Sequence, residues 1–380
     1  MSLLSFSKTQ ELNLVFDISS GSIGGALVLK QRGHAPLILR SIRKNFSLTP
    51  DFESAKIERE MLLALHNICQ ELQKGTLYRP EKIYCVLATP WSHGEVRSIK
   101  YEAKTDFKFT EKLSQKLISS EVENFKKEWA NLGQVIDRRV TKVALNGYMV
   151  DNPNGQKARS ARIDVFLSLA PEKLIQDIEE MISKTFKART AFTSQMFSDF
   201  ILVRDVFDLQ NDFLIINFGE EVSEVMIMKD DHLVGTAFFP YGKISVVRLI
   251  AKNLGKSVHE TKSLLHLHHG DMLDREANRG LFEAVRLAGE AWVKELKNVL
   301  VDMVPSRHLP HHAFLSTDEH TGAWLKSHLG PAFFPEFTTA HDGFSVIIGD
   351  NRVLHSFAEF APMVERDSRL TMKAVFINHL

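Results

Sequence analysis

The sequence predicts an α/β protein with two related lobes and a small α+β subdomain inserted into the first lobe. A hairpin near the N-terminus, Leu12–Lys30, joins two apolar strands through a turn of small residues. A second strand–turn–strand unit runs over Phe213–Phe239, where Asn217 stands at the place that Asp17 has in the first unit. Two such units, each followed by helices, indicate an internal duplication with a cleft between the halves. Residues 90–170 are richer in charge and carry their own strands and helix, which predicts the insert.

The composition is that of an ordinary globular protein. Of 380 residues, 44% are hydrophobic and 25% are charged, enough for a substantial core in two or more domain-sized units. The 47 Lys and Arg residues balance 47 Asp and Glu residues, so no overall basic charge favours nucleic acid. Cys69 and Cys85 stand in apolar surroundings, which favours core thiols in a reducing compartment. Without a secretory signal or an apolar run of about 18 residues, the sequence predicts a cytoplasmic protein.

The elements of the first lobe follow from hydrophobic periodicity. After the hairpin, a strand is predicted over Ala35–Ser41 and a helix over Ile57–Leu72, where apolar residues recur at helical spacing. Lys82–Ala88 is typical of a buried strand. Beyond the insert, helices are predicted over Glu172–Phe186 and Ser198–Phe207.

The insert is predicted from strand and helix patterns. Thr110 can cap a helix over Lys112–Trp129. A strand-like run follows over Arg139–Val150, the turn-forming residues Asp151–Gly155 come next, and Ser160–Leu169 alternates as a half-buried strand does. The alternative is that this stretch is simply more of the first domain.

The second lobe continues with helices after its hairpin. They are predicted over Ile244–Leu254, within Glu276–Val304 and over Thr321–Leu329, with a short strand over Ala313–Ser316. A closing helix over Arg369–Asn378 is expected to pack its apolar residues inward. The predicted boundaries are 1–89 and 171–210 for the first lobe, 90–170 for the insert, 211–365 for the second lobe and 366–380 for the closing helix.

The turn of the first hairpin predicts an anion site. Residues Ser19–Gly25 carry little side chain, so backbone N–H groups and hydroxyls can approach an anion closely. Asp17 is placed to face a hydrated cation that accompanies the anion. The alternative is a tight Ser/Gly hairpin with an incidental aspartate.

Other kinds of site have little support in the sequence. His266, His268 and His269 lack zinc-finger or metalloprotease spacing, so they are interpreted as solvated histidines at a helix end and in a loop. There is no G-x-S-x-G elbow for a hydrolase, and neither a Walker motif nor a dinucleotide fingerprint is present.

These motifs together resemble the actin-like ATPase superfamily, which has a duplicated ribonuclease H-like core, and more closely its bacterial FtsA and PilM branch. Asp17 to Ser22 match the family's first phosphate motif, D-x-S/G-S-x-S. Ala144–Gly155 is similar to a segment of the FtsA insert, and Phe239–Gly255 is similar to a segment built on I-P-x-G-G. The resemblance implies ATP and magnesium as ligands, with phosphate contacts from Asp17, Ser19, Ser20, Gly21 and Ser22, Asn217 and Gly219 opposite them, and magnesium reached from Asp17 through water.

The second phosphate motif departs from the family pattern. The family has D-x-G-G-G-T-T-D, whereas this chain has Asn217 for the first aspartate and keeps one glycine, Gly219. Glu220 and Glu221 would add negative charge near a polyphosphate. Two like unit charges about 4 Å apart repel by about 4 kcal/mol at an effective dielectric of about 20. These departures argue against efficient hydrolysis.

The adenosine-binding motifs also depart from the family. The family loop L-T-G-G-G is Leu315–Glu319 here and contains no glycine. A Glu/Lys pair that relatives use near the ribose and base falls on Ser263 and His266 if Gly270 is the anchor. Two of the three nucleotide-contacting motifs therefore lack family residues.

The resemblance leaves two functions open. The first is a scaffold of bacterial cell division or envelope assembly with weak or lost ATP binding. It would bind a tubulin-like division protein or a peptide of a membrane pilus or divisome protein, and could self-associate through the insert. The second is an active ATPase of the FtsA type that polymerises at the membrane. A PilM-like cytoplasmic component of type IV pilus assembly is a further alternative. The end of the chain, Leu370–Leu380, has few basic residues and no preceding linker, so membrane contact is expected to be indirect.

Overall fold

The computed structural model describes residues 10–380 except for short segments. The segments outside the description are 32, 48–52, 75–78, 130–132, 208–211, 231, 270–271, 305–307, 318, 331–333, 335–336 and 338–343. Gly270 and Asp318, which belong to the adenosine motifs named above, therefore lie outside the described residues, and so does the side chain of His269.

The first lobe is built on a sheet with the strand order β15-β3-β2-β1-β4-β9. Its strands are β1 (Gln10–Ile18), β2 (Ser22–Gln31), β3 (Leu37–Asn45), β4 (Lys82–Leu87), β9 (Arg189–Ser194) and β15 (Glu359–Phe360). One face is covered by helices α1 (Ser54–Gln73) and α3 (Glu172–Ser183), which share a core cluster with the strands. Because both faces of the sheet are covered, β1 and β4 are buried along nearly their whole length rather than at alternate positions.

The insert is an antiparallel sheet with one helix on one face. Its strands, in the order β5-β8-β6-β7, are β5 (His93–Lys108), β6 (Gln134–Leu145), β7 (Tyr148–Met149) and β8 (Lys157–Ala170). Helix α2 (Glu111–Glu128) begins as predicted, since Leu113 N donates to Thr110 Oγ1 at 3.2 Å. The run predicted over Arg139–Val150 is two strands, because Asn146 and Gly147 turn the chain with positive φ. Strand β5 was not predicted, since polar residues alternate along its exposed second half.

A buried carboxylate fastens the insert to the first lobe. Asp137 on β6 accepts hydrogen bonds from Thr193 Oγ1 at 2.7 Å and from Ser194 N at 2.8 Å, both at the end of β9. The hydroxyls of Ser168 and Ser194 also donate to it. Burial raises the pKa of Asp137, although these hydrogen bonds oppose the shift. The position of the insert is therefore set by specific polar contacts as well as by apolar packing.

The second lobe repeats the topology of the first. Its strands, in the order β12-β11-β10-β13-β14, are β10 (Phe213–Phe218), β11 (Ser223–Lys229), β12 (His232–Phe239), β13 (His312–Ser316) and β14 (Ser345–Ile348). In each lobe an antiparallel hairpin lies beside a parallel strand, β4 in the first and β13 in the second. The helices of this lobe are α5 (Lys243–Leu254), α6 (Val258–His269), α7 (Arg279–Met303) and α8 (Glu319–Ser327).

Two helices pack between the lobes. Helix α4 (Gln195–Ile201), extended by a π-helical turn over Leu202–Val206, shares one core cluster with α10 (Ser368–His379) and with strands of both sheets. The short helix α9 (Asn351–Leu354) precedes α10. The apolar residues of α10 are buried, as predicted.

The three sheets and their helices confirm the two-lobed α/β architecture with an inserted α+β subdomain. Within the described part of the chain, no helix is both long and apolar enough to cross a membrane.

The first hairpin turns more tightly than the sequence predicts. Strand β2 begins at Ser22, so the turn is only Ser19–Gly21 and the following glycines belong to the strand. The register places Asp17 opposite Gly24, and Gly24 opposite Arg43 on β3. A Cβ atom on Gly24 would lie 2.7 Å from Nη2 of Arg43. The glycine therefore leaves room for the Arg43 side chain to cross β2 and reach Asp17.

Candidate functional site in the cleft between the lobes

Asp17 lies at the end of β1, and its carboxylate is fully buried. Nη2 of Arg43 donates to Oδ2 at 2.8 Å, and Nε of Arg369 lies 3.1 Å from the same oxygen. Nη2 of Arg369 donates to Oδ1 at 3.4 Å. Burial alone would raise the pKa of Asp17, but the charges of Arg369 and Arg43 outweigh it and hold the pKa well below its usual range. Asp17 is therefore an ionised carboxylate whose oxygens are both engaged by the chain's own guanidinium groups.

Each of these arginines also binds a second carboxylate. Arg43 donates from Nε to Asp367 Oδ2 at 2.5 Å, and Arg369 donates from Nη1 to Glu220 Oε1 at 3.3 Å. We call these five residues, Asp17, Arg43, Glu220, Asp367 and Arg369, the cleft network. Asp367 also caps α10, where it accepts from Leu370 N at 3.0 Å. The cleft network thus links β1, β3 and the start of α10 to the turn of the second hairpin.

The serines of the first turn are engaged to different degrees. Ser19 Oγ donates to the carbonyl of Ser22 at 2.9 Å and accepts from its N–H at 3.2 Å. Ser22 Oγ accepts from Nη1 of Arg43 at 3.0 Å. The Ser20 hydroxyl is buried and finds no hydrogen-bond partner within the part of the chain that the structure describes. Of the three hydroxyls predicted at a phosphate, two are therefore used inside the fold.

The turn of the second hairpin packs directly on the first. A Cβ atom on Gly21 would lie 2.7 Å from Cγ of Glu220, so this glycine makes room for the glutamate. A Cβ atom on Gly219 would lie 2.6 Å from the carbonyl oxygen of Val222, which excludes other side chains from that turn. The predicted residues Gly21 and Gly219 are thus both present in the cleft, but Glu220 fills the space against Gly21.

The second glutamate of this turn has a different partner. Glu221 forms a bidentate ion pair with Arg248 of α5, with distances of 2.7 and 2.9 Å. The negative charge that these two glutamates were expected to add near a polyphosphate is thus paired within the chain, because Glu221 pairs with Arg248 and Glu220 with Arg369.

Asn217 hydrogen-bonds within its own hairpin. Its Nδ2 donates at 2.5 Å to Oε2 of Glu224, the residue opposite it on β11. Glu224 also accepts from the hydroxyl of Thr89, which follows β4 of the first lobe. Burial raises the pKa of Glu224, and the hydrogen bonds from Thr89 and Asn217 oppose this shift. Asn217 therefore orients a buried carboxylate beside the cleft.

A buried ion pair lies next to this cluster. Nζ of Lys373 on α10 donates to Oδ1 of Asp199 at 3.0 Å and to Ser198 Oγ at 3.2 Å, both on α4. The side chains of Lys373 and Asp199 are 1% and 0% exposed. The positive charge of Lys373 also acts on Asp17 and Glu224 by lowering their pKa values. The cleft thus holds a third internal cation.

The second lobe contains a largely apolar cavity of about 280 Å³. Its lining includes Phe218, Ile244, Leu265, His266 and Trp324. His266, predicted near an adenosine, therefore faces this cavity. Ser263, predicted with it, donates to the carbonyl of His259 on its own helix at 3.3 Å.

The cations of the cleft were not predicted from the sequence, because Arg43, Arg369 and Lys373 belong to no motif of the family pattern. One signal was available for Lys373, which interrupts the apolar run of the closing helix, where a lysine is unusual unless it is paired. Among the described residues, no cluster of three or more His, Cys, Asp or Glu side chains is arranged to bind a metal.

Comparison with known proteins shows the fold. No protein-family model matches the chain, and no curated protein matches it in sequence. Among solved structures, it is similar to the PilM–PilN type IV pilus biogenesis complex, with a TM-score of 0.63, 11% identity and 96% of each chain covered. The matches also include a Bacteroides thetaiotaomicron protein with an actin-like ATPase fold, with a TM-score of 0.45, 10% identity and 99% of each chain covered. A third is the ethanolamine utilization protein EutJ from Carboxydothermus hydrogenoformans, with a TM-score of 0.44, 11% identity, and 98% of this chain and 90% of that chain covered. The predicted actin-like ATPase fold is confirmed, while membership of the FtsA and PilM branch stays a prediction.

Proposed function

We propose that this chain is an actin-fold scaffold of bacterial envelope assembly that works without hydrolysing ATP. One observation carries the proposal: both oxygens of the Asp17 carboxylate are engaged by Arg43 and Arg369. The family resemblance gives this carboxylate the task of facing hydrated magnesium. Here the magnesium would have to displace two guanidinium groups from a buried anion, and Glu220 would have to leave Gly21.

The partner we propose is a peptide of a membrane protein of pilus or divisome assembly. Support comes from the fold similarity to PilM, whose structure was solved in a complex with PilN. Such a partner would bring the chain to the cytoplasmic face of the membrane. A scaffold that binds a tubulin-like division protein is the alternative within the same class.

A second candidate function is nucleotide binding, with or without hydrolysis. Two observations favour it: the apolar cavity beside His266 and the buried Ser20 hydroxyl without a partner. If this function were correct, Asp17, Ser20 and Gly21 would contact phosphates once the cleft network had opened. The two functions differ in whether Mg–ATP stabilises the folded chain.

We expect millimolar Mg–ATP to leave the thermal unfolding of the chain unchanged. A ligand that binds only the folded state at 100 times its dissociation constant stabilises it by about 2.7 kcal/mol, which a thermal scan detects easily. An actin-fold ATPase scanned in parallel is the positive control, and magnesium without ATP is the negative control. A clear rise in the midpoint, or phosphate release above background, would contradict the proposal and favour the second function.

We expect a fluorescent peptide of a PilN-type protein to bind the purified chain, with an affinity that ATP does not change. Fluorescence anisotropy measures this directly. A scrambled peptide and a peptide of a tubulin-like division protein serve as controls. Binding of the division-protein peptide alone would overturn the choice of partner, and an affinity that depends on ATP would overturn the claim that the scaffold works without nucleotide.

A further inference from the structure

Helix α10 contacts both lobes. Its N-terminal half packs on the first sheet, where Cδ2 of Leu370 lies 3.1 Å from the position of a Cβ atom on Gly24. On its other side, Sδ of Met372 lies 4.0 Å from Oγ of Ser316, at the end of β13 in the second lobe. The helix therefore lies where a movement of one lobe against the other would change its contacts.

Arg369 bridges the lobes by charge. Its guanidinium group lies 3.1 Å from Asp17 of the first lobe and 3.3 Å from Glu220 of the second. The Arg369 side chain is only 13% exposed, so salt screens these contacts less than it screens ion pairs on the open surface. Both carboxylates thus share one mostly buried cation.

The position of Arg369 is explained by these contacts and not by the stability of its own helix. It is the second residue of α10, where the partial positive charge of the helix N-terminus disfavours a cation. Asp367, one residue before the helix, provides the cap that this end needs. An arginine here is unfavourable for the helix, unless anions outside the helix compensate for it.

Lys373 adds a second cation four residues later, on the same face of α10. It pairs with Asp199 of α4, the helix that packs with α10 between the lobes, and its charge also acts on Glu224 of the second lobe. The acidic groups that meet in the cleft come from the first lobe, the second lobe and α4. The two cations of α10 lie among them.

We propose that α10 is an internal ligand that holds the two lobes closed, with Arg369 as the cation that joins them and Lys373 as the cation that anchors the helix to α4. The cleft is then kept closed by contacts within the chain itself. This inference depends on the contacts of α10 alone. It holds whether or not the chain binds the partner proposed above.

Hydrogen–deuterium exchange of the full chain, without added ligand, tests whether α10 holds the lobes closed; we call this role of α10 the clamp. The variant Arg369→Gln removes the bridging charge, and Glu220→Gln removes only the second-lobe end of the bridge. We expect Arg369→Gln to speed exchange about tenfold in peptides that cover the first turn, 17–24, and the second turn, 217–224. We expect Glu220→Gln to speed exchange only in the peptides that cover the second turn. Peptides from α7 are expected to exchange at the wild-type rate in both variants.

A matched control is Arg366→Gln, three residues earlier. Arg366 is exposed, and its Cζ atom lies over the Phe360 ring, 5.2 Å from the ring centroid. Its variant is expected to exchange like the wild type in both turns. The clamp is refuted if Arg369→Gln leaves the exchange of both turns unchanged, since apolar packing would then hold the lobes alone. It is equally refuted if exchange rises as much in α7 as in the turns, because the effect would then be general unfolding.

Discussion

Replacing Lys373 by methionine is expected to lower the free energy of unfolding by about 3 to 5 kcal/mol. The substitution keeps an unbranched side chain of similar length but leaves Asp199 buried without its cation. Among the residues that the structure describes, its carboxylate would retain only a hydrogen bond from Gln195 Nε2, at 3.3 Å. An uncompensated buried charge is among the few single changes with so large an effect. Urea unfolding at pH 7, followed by circular dichroism, measures the loss.

The double variant Lys373→Met with Asp199→Asn separates the charge effect from packing. We expect it to recover most of the stability, because the neutral amide no longer needs a cation. Lys252→Met, at an exposed position of α5, is the matched control and should change the stability by less than about 0.5 kcal/mol. If the double variant were as unstable as the single one, lost packing and not lost charge would be responsible.

The second large effect is expected for Asp17→Asn, which leaves Arg43 and Arg369 without their shared anion. At pH 7 we expect a loss of about 3 to 5 kcal/mol in the free energy of unfolding. Because the pKa of Asp17 is lower in the folded chain than its ordinary 3.8, the stabilisation by this carboxylate is complete above about pH 5. It is lost as the pH falls below the ordinary value. The difference between wild type and variant should therefore shrink steadily from pH 5 to pH 2.

The measurement is urea unfolding of both proteins at several values of pH in this range. Asp302→Asn, at an exposed position on α7, is the matched control and should show no such convergence. The result also discriminates between functions. A structural Asp17 loses stability without any effect on phosphate release, whereas a catalytic Asp17 would lose phosphate release and keep its stability. A constant difference between wild type and variant at all pH values would show that the ionised carboxylate is not what stabilises the cleft.

Local patterns in the sequence were sufficient to predict the two hairpins. The apolar strands around Asp17 and Asn217 alternate with small turn residues, and this pattern repeats in both halves. The long helix α7 was predicted because its apolar residues recur every three or four positions. Strand β5 was missed because most of its second half faces solvent, so it lacks the burial pattern on which such predictions depend.

The exact role of the glycines was harder to predict. The sequence suggested that the glycines after Ser22 belong to the turn, where they would free the backbone for an anion. In the structure Gly24 lies inside β2, and its missing side chain makes room for Arg43. The sequence does not distinguish a glycine that is needed for its backbone conformation from one that makes room for a neighbouring side chain. Only the strand register distinguishes them.

By itself, the sequence determined both hairpins, most of the helices, the duplication, the insert and the position of Asp17 at the end of a buried strand. All of these follow from the spacing of apolar and small residues along a short stretch of chain. The tertiary structure alone decided which groups meet Asp17, because its partners Arg43 and Arg369 lie 26 and 352 residues away. An ion pair depends on atoms that approach within about 4 Å, and that distance is set by strand register and by the packing of α10, not by any periodic pattern. The first hairpin is therefore enough to predict the fold from the sequence. Only the tertiary structure shows that the Asp17 carboxylate is paired with Arg43 and Arg369.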